Sequence, residues 1–490
     1  MNRQEVLAFV SNIEKCYPTN KWKKHGIHVW PIIRIYLSMY LCLQETPKEI
    51  YLDNKPLIKL NFLDKIRALT FLCRSLFIKT DALFIGTNNY RVNVGKFWMN
   101  KFYDIFALIL IKNKKNVIIA ELGSKEHKKY FNYKYLFFLD AFKWIYFKVY
   151  RHTKKIHGEN SLDGFNDFVS QSYKLLEFDS KESFEKAINV HIKRVFWEAN
   201  YYYWLMRIIS PKIVLGLNYY NSQMLGLNIA CNKLQIPSVD IQHGGIGKLH
   251  FAYYGWDDLP KLGYEALPKY YWTWSTEEAD LINSWGNKTA FHKAICYENP
   301  WVFVFKDETI YKTFFDSISH NLPKNLILVS LQSIKFKDLN HLASIILNTK
   351  SKFNWAFRVH PTNINSIQEI KLQLDSFGIE NCYIIEEASH LSLPIILKNT
   401  LLNITEFSGV CLEASEFGVK TIITCDYGVE LYPHLFERKI AFRGYLNNED
   451  EFINLIYKIS ESQKNSIHPK FIGSNYFLDI YNNLINKKEL

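Results

Sequence analysis

Apolar residues recur at three- and four-residue spacing over positions 29–43 and again over 62–77, the period of a helix with one face turned inward. The pattern changes at 82–86, where a short unbroken apolar run ends in glycine and gives way to Thr87, Asn88 and Asn89. Such a run is a strand buried on both faces that enters a loop. The same signature returns at 116–120, 212–216 and 238–242, and the helical period of 221–234 lies between the last two. Strand, helix and strand together fill about thirty residues, the length of one βαβ unit. From 124 to about 208 the chain reads as helix throughout. After a break near Asn299 and Pro300 the rhythm resumes, with apolar runs at 326–330, 355–359, 383–385, 401–404 and 421–424 separated by helical segments. Alternation of this kind predicts parallel sheets covered on both faces, and two blocks of it predict two doubly wound α/β domains with a helical elaboration at the amino-terminal side. The expected division is 1–300, then 301–470, with a helix over 471–490 packing back on the first domain.

A length of 490 residues agrees with two cores, since single cores stop growing at roughly 250–300 residues. The eight cysteines form no CxxC pair and no Cys/His spacing suited to zinc, so they read as reduced residues of a cytoplasmic protein. Glu5 and Glu14 interrupt the stretch where a secretory signal would be apolar, and no apolar run approaches the roughly 18 residues of a membrane span. Charge changes the picture further. Residues 1–156 carry 28 Lys and Arg against 11 Asp and Glu, whereas the rest carries 32 against 37. Within the basic part, 125–155 interleaves lysines with aromatics, a composition suited either to an anionic membrane surface or to a solvated helix with its rings turned inward. No nucleic-acid module accompanies it, so nucleic acid is not an expected partner.

Ligands of doubly wound sheets bind outside the carboxyl ends of the strands, which directs attention to the residues after each run. His360 and Pro361 follow 355–359; the imidazole can donate to a phosphate oxygen, and the proline ends the strand. Ser408 and Gly409 follow 401–404 and open a helix, where backbone N–H groups and a hydroxyl suit an anion, while Glu413 lies one turn in and could accept from ribose hydroxyls. The serine as a simple helix cap and the glutamate as a helix-dipole carboxylate are the plain alternatives. A third group, Gln242, His243, Gly244, Gly245 and Lys248, follows 238–242, with glycines that permit close approach and a histidine expected at an interdomain cleft. Asp257 and Asp258 add two adjacent carboxylates, either of which could serve as a base or simply be solvated.

The order of these motifs, Gln-His-Gly, then Asn-Pro, then His-Pro, then Ser-Gly with Glu-Ala, resembles bacterial capsule and surface-polysaccharide glycosyltransferases, nearest to Kdo-transferase-like capsule enzymes and related to sialyl- and polysialyltransferases. The resemblance runs over about 212–430. It departs from the pattern at Glu298, where glycine is typical before Asn-Pro, and at Asp257 and Asp258, which leucine follows. It implies the GT-B architecture, two Rossmann-like domains facing across a cleft. It further implies that His360, Pro361 and Ser408 hold the phosphate and cytidine of a CMP-sugar, with Gln242, His243 and Gly244 matching the cleft loop; the residues themselves add Gly409 and Glu413 at the nucleotide and His243, Asp257 or Asp258 as candidates for the transfer. On that reading an acidic sugar, Kdo or another nonulosonic acid, moves to a glycan or lipid-linked glycan acceptor, peripherally at the inner face of the membrane, without a metal or other cofactor. The alternatives are a UDP-sugar-dependent transferase, a UDP-GlcNAc 2-epimerase-like enzyme, and a non-catalytic scaffold of capsule assembly.

Overall fold

The computed structural model describes residues 2–42, 62–77, 79–94, 97–123, 129–149, 160–297, 299–306, 322–332, 338–463 and 475–486. Its strands in chain order are β1 (Lys23–Lys24), β2 (Ile27–His28), β3 (Ala82–Thr87), β4 (Arg91–Val94), β5 (Phe97–Asn100), β6 (Val117–Leu122), β7 (Leu136–Phe138), β8 (Ile213–Leu217), β9 (Ser238–Ile241), β10 (Tyr270–Thr273), β11 (Lys293–Cys296), β12 (Leu326–Ser330), β13 (Asn354–Arg358), β14 (Tyr383–Ile384), β15 (Thr400–Thr405), β16 (Lys420–Ile423) and β17 (Ala441–Arg443). The chain forms two compact units. One comprises Met1–Arg91, Phe102–Glu298 and Ser474–Leu490, the other Val92–Lys101 and Asn299–Gly473.

The first unit holds a seven-stranded sheet in the order β11-β10-β9-β8-β3-β6-β7, with every paired neighbour parallel. Numbered along the chain, these strands run 7-6-5-4-1-2-3, the doubly wound order with its reversal between β3 and β8. The second unit repeats the scheme with six parallel strands, β14-β13-β12-β15-β16-β17, reversing between β12 and β15. Buried apolar runs cause this: Ala82, Leu83, Phe84 and Ile85 are fully buried in β3, and Leu326–Val329 likewise in β12. Strands covered on both faces by helices need no alternation. Strands β7, β10, β11 and β17 do not stand out in the hydrophobic pattern. Three of them lie at a sheet edge, where a short strand suffices, and β10 (Tyr-Tyr-Trp-Thr) is aromatic rather than aliphatic.

The amino-terminal helices Arg3–Cys16 and Trp30–Cys42 pack with Phe165–Ser172 and Lys181–Ile209 around Trp22, Trp30, Phe168 and Phe184. Lys181–Ile209 begins at a capping box, Ser180 with Ser183, and runs 29 residues. Its neighbour, Ser222–Lys233, approaches so closely that a Cβ on Gly226 would stand 2.7 Å from the Ala199 backbone nitrogen, so glycine is required there. The helix Asn475–Ile485 belongs to the first unit: Phe477 stacks near Phe106 and Trp272, and the Tyr481 hydroxyl bonds to Asp81. Among the described residues no helix is long and apolar enough to cross a membrane.

Of the basic aromatic segment 125–155, residues 125–128 and 150–155 lie outside the described residues. In the remainder most rings turn inward, Phe147 being exposed. Phe131, Phe138, Phe142 and Tyr146 are buried, and Lys143 forms a buried ion pair with Glu198 at 2.7 Å.

Candidate functional site

In the second unit the carboxyl ends of β13 and β15 bring together residues far apart in sequence. Arg358 ends β13, its guanidinium donating to the carbonyls of Ala388 and Leu391 at 2.6 and 2.8 Å. Burial lowers its pKa to about 10, with Glu413 acting in the opposite sense, so it stays a cation. His360 follows two residues later, half-buried. Burial and the charge of Lys101 both push its imidazole below the ordinary histidine value, so near neutrality it is an uncharged ring with one N–H to donate. Pro361 opens the turn Pro361–Ser366, closed by the Asn363 N–H donating to the His360 carbonyl at 2.8 Å.

Ser408 and Gly409 follow β15. The Ser408 N–H donates to the Thr405 hydroxyl, which in turn donates to the Ser330 carbonyl at the end of β12. The Ser408 hydroxyl accepts from the Val410 N–H at 3.3 Å. The helix behind them, Val410–Glu416, has only seven residues, so its dipole contributes less to anion binding than the sequence suggests. Cations supply the field instead. Lys101, directly after β5, lies 4.0 Å from the buried carboxylate of Glu413. Glu413 therefore faces Lys101 and feels Arg358. Above Gly409 the space is open: a Cβ there would meet nothing within 4 Å.

In the first unit the loop after β9 is held from below. The Gln242 amide donates to Gly244 O and to the Glu278 carboxyl at 2.8 and 2.7 Å and accepts from the Trp274 N–H, while the Ile246 N–H also reaches Glu278. Gln242 is thus a positioning residue. Gly244 opens on free space, Gly245 is half-buried and Lys248 is exposed. His243 stands on this braced loop with its Nε2 3.2 Å from the Tyr220 hydroxyl and the rings of Tyr90 and Phe102 against it. Asp257 and Asp258 have other partners. Asp257 accepts from the Ser11 hydroxyl, Asp258 from the Asn20 backbone and side chain, and their N–H groups donate to Glu14, which is locked to Arg34. Both fasten their turn to the amino-terminal helices, and the geometry favours that structural role over a base.

Burial pushes the Glu278 carboxyl up to about 7 in spite of its donors, and does the same to Asp240 beneath Tyr219 and Tyr253. A carboxyl that binds its proton more tightly when folded contributes stability below its unfolded value, near 4.5 for Glu278, and loses it as pH rises through about 7. Glu278→Gln is therefore expected to flatten the decline of melting temperature between those two values. Melts of both proteins across this window check it, and parallel slopes would contradict the assignment.

Lys101 and Arg358 were not among the residues singled out from the sequence. Arg358 had a signal, a cation closing an apolar strand just before His-Pro. Lys101 had none, because about 300 residues separate it from Glu413. Among the described residues no group of His, Cys, Asp and Glu has the arrangement of a metal site.

No protein-family model and no curated protein matches the sequence. Among solved structures the chain is similar to MnaA of S. aureus, determined with UDP, at a TM-score of 0.50 and 11% identity over 84% of this chain and 97% of that one. It is similar to a UDP-N-acetylglucosamine 2-epimerase at 0.50 and 12%, over 84% and 98%. The chain has the GT-B type of fold. At such identities the likeness speaks for the fold alone.

Proposed function

We propose that the chain is a nucleotide-sugar-dependent glycosyltransferase whose donor is a UDP-sugar. The observation that carries the reading is Lys101 4.0 Å from Glu413, whose charge also acts on Arg358, with His360 in the field of Lys101, at the ligand-binding edge of a doubly wound sheet where the space over Gly409 is open. In transfer, an acceptor hydroxyl attacks the anomeric carbon, the bond from that carbon to the diphosphate oxygen breaks, and a base takes the hydroxyl proton. Lys101 and Arg358 neutralise charge building on the diphosphate, His360 and Ser408 donate to it, and His243 is the base. Cations fixed in advance where charge develops supply this stabilisation without reorganisation. Glu413 orients Lys101 and accepts from the ribose.

Two structural neighbours, one solved with UDP and one titled a UDP-N-acetylglucosamine 2-epimerase, support UDP over the CMP implied by the motif resemblance. They also make an epimerase-like activity the nearest alternative. A CMP-sugar transferase acting on Kdo or another nonulosonic acid keeps the support of the His360-Pro361 and Ser408-Gly409 order.

A thermal-shift panel of UDP, CMP, CDP and GDP tests the donor. UDP at a hundred times its Kd is expected to stabilise by about 2.7 kcal/mol. A response to CMP alone transfers the assignment to the second reading, and no response to any nucleotide removes the donor site. Incubation with UDP-GlcNAc without acceptor, followed by NMR, separates the remaining pair, since inversion at C2 would identify an epimerase.

A further inference from the structure

The helix Phe62–Ser75 is apolar on two sides. One side is buried: Ala68 and Leu72 join the core, and Phe71 packs on Phe137 with ring centroids 4.2 Å apart. The other side faces solvent. Phe62, Ile66, Leu69, Cys73 and Leu76 follow one another at spacings of four, three, four and three, a single stripe along the helix, and Phe77 extends it. Phe62, Leu76 and Phe77 are 72, 67 and 88% exposed. A second observation lies beside the stripe. Arg74, on the same helix, lines a cavity of about 320 Å³ with Lys114, Lys115 and Lys134 over a floor containing Phe71 and Phe137, and no acidic residue lines it. The carboxylate next along the chain, Asp81, is held by Lys212 at 2.7 Å and by the Asn116 N–H.

We propose that this helix docks the first unit on an anionic phospholipid bilayer, the stripe entering the boundary between headgroups and acyl chains and the cationic cavity receiving a headgroup phosphate. Charge complementarity selects this occupant: four cations without a lining carboxylate repel a second copy of the same face and attract a surface rich in anionic lipid. The docking element is therefore Phe62–Ser75 with residues 76 and 77, and the basic aromatic segment contributes Lys134 from its described part.

Sedimentation of the full chain with vesicles tests the proposal. The protein is expected to bind vesicles of phosphatidylcholine mixed with phosphatidylglycerol, to release from them as salt shortens the Debye length, and to bind pure phosphatidylcholine far more weakly. Each cation removed should weaken binding by about fivefold, so Lys114→Gln with Lys115→Gln should weaken it by about twenty-fivefold. Leu69→Ser with Phe77→Ser, both on the surface, should weaken it by about tenfold or more while the thermal melt stays in place. Equal binding to both vesicle types, absence of binding, or indifference to either pair of substitutions would overturn the proposal. So would a soluble dimer that Leu69→Ser with Phe77→Ser dissolves, since a second copy would then cover the stripe.

Discussion

His243→Ala is expected to lower turnover by about 10²–10⁴-fold while nucleotide affinity stays nearly constant. The histidine stands on a loop that Gln242 and Glu278 hold rigid, beside a glycine that opens on free space. Its ring is set by the Tyr220 hydroxyl and by aromatic contacts within the first unit, so alanine removes the proposed proton acceptor. Steady-state kinetics and calorimetry on the same preparation check the split. A variant that turns over at the wild-type rate eliminates His243 as the base. A loss of nucleotide affinity of the same size as the loss of turnover assigns it to donor binding instead.

The converse is expected of the second unit. His360→Ala and Ser408→Ala each remove a donor to a charged phosphate, an interaction of roughly 1.5–3 kcal/mol, so each should cost tenfold or more in nucleotide affinity and the pair about a hundredfold or more. Ser408→Ala also removes the acceptor for the Val410 N–H at the start of a seven-residue helix, so its thermal melt must be compared alongside. Calorimetry that finds the double variant binding every nucleotide as tightly as wild type would return His360-Pro361 to the role of a strand end.

The sheet interiors, the aromatic β10 apart, were legible because their chemistry is local. Runs such as 82–86 and 326–330 are apolar for the reason that they are buried on both faces, and each was placed within a residue or two of the observed β3 and β12. The edge strands β7, β11 and β17 lacked that signature, since an edge is set by pairing with a distant neighbour rather than by composition. That His360 and Ser408 follow strands was legible too. What surrounds them was not. Lys101 reaches Glu413 only because β5 is folded with the second unit, and the partners of Asp257 and Asp258, Ser11 and Asn20, lie some 240 residues away. Nothing in a local pattern carries pairings of that span.

The helix Asn475–Ile485 has a consequence for the order in which the protein is made. Phe477, Ile480, Tyr481 and Leu484 are buried in the unit that the first residues of the chain begin. As the ribosome emits the chain, the site for this helix waits, with Phe106 and Trp272 uncovered, while nearly two hundred further residues are synthesised. At about 5–20 residues per second that interval lasts roughly 10–40 s, during which the second unit can finish while the first cannot. The unit started first is the one completed last.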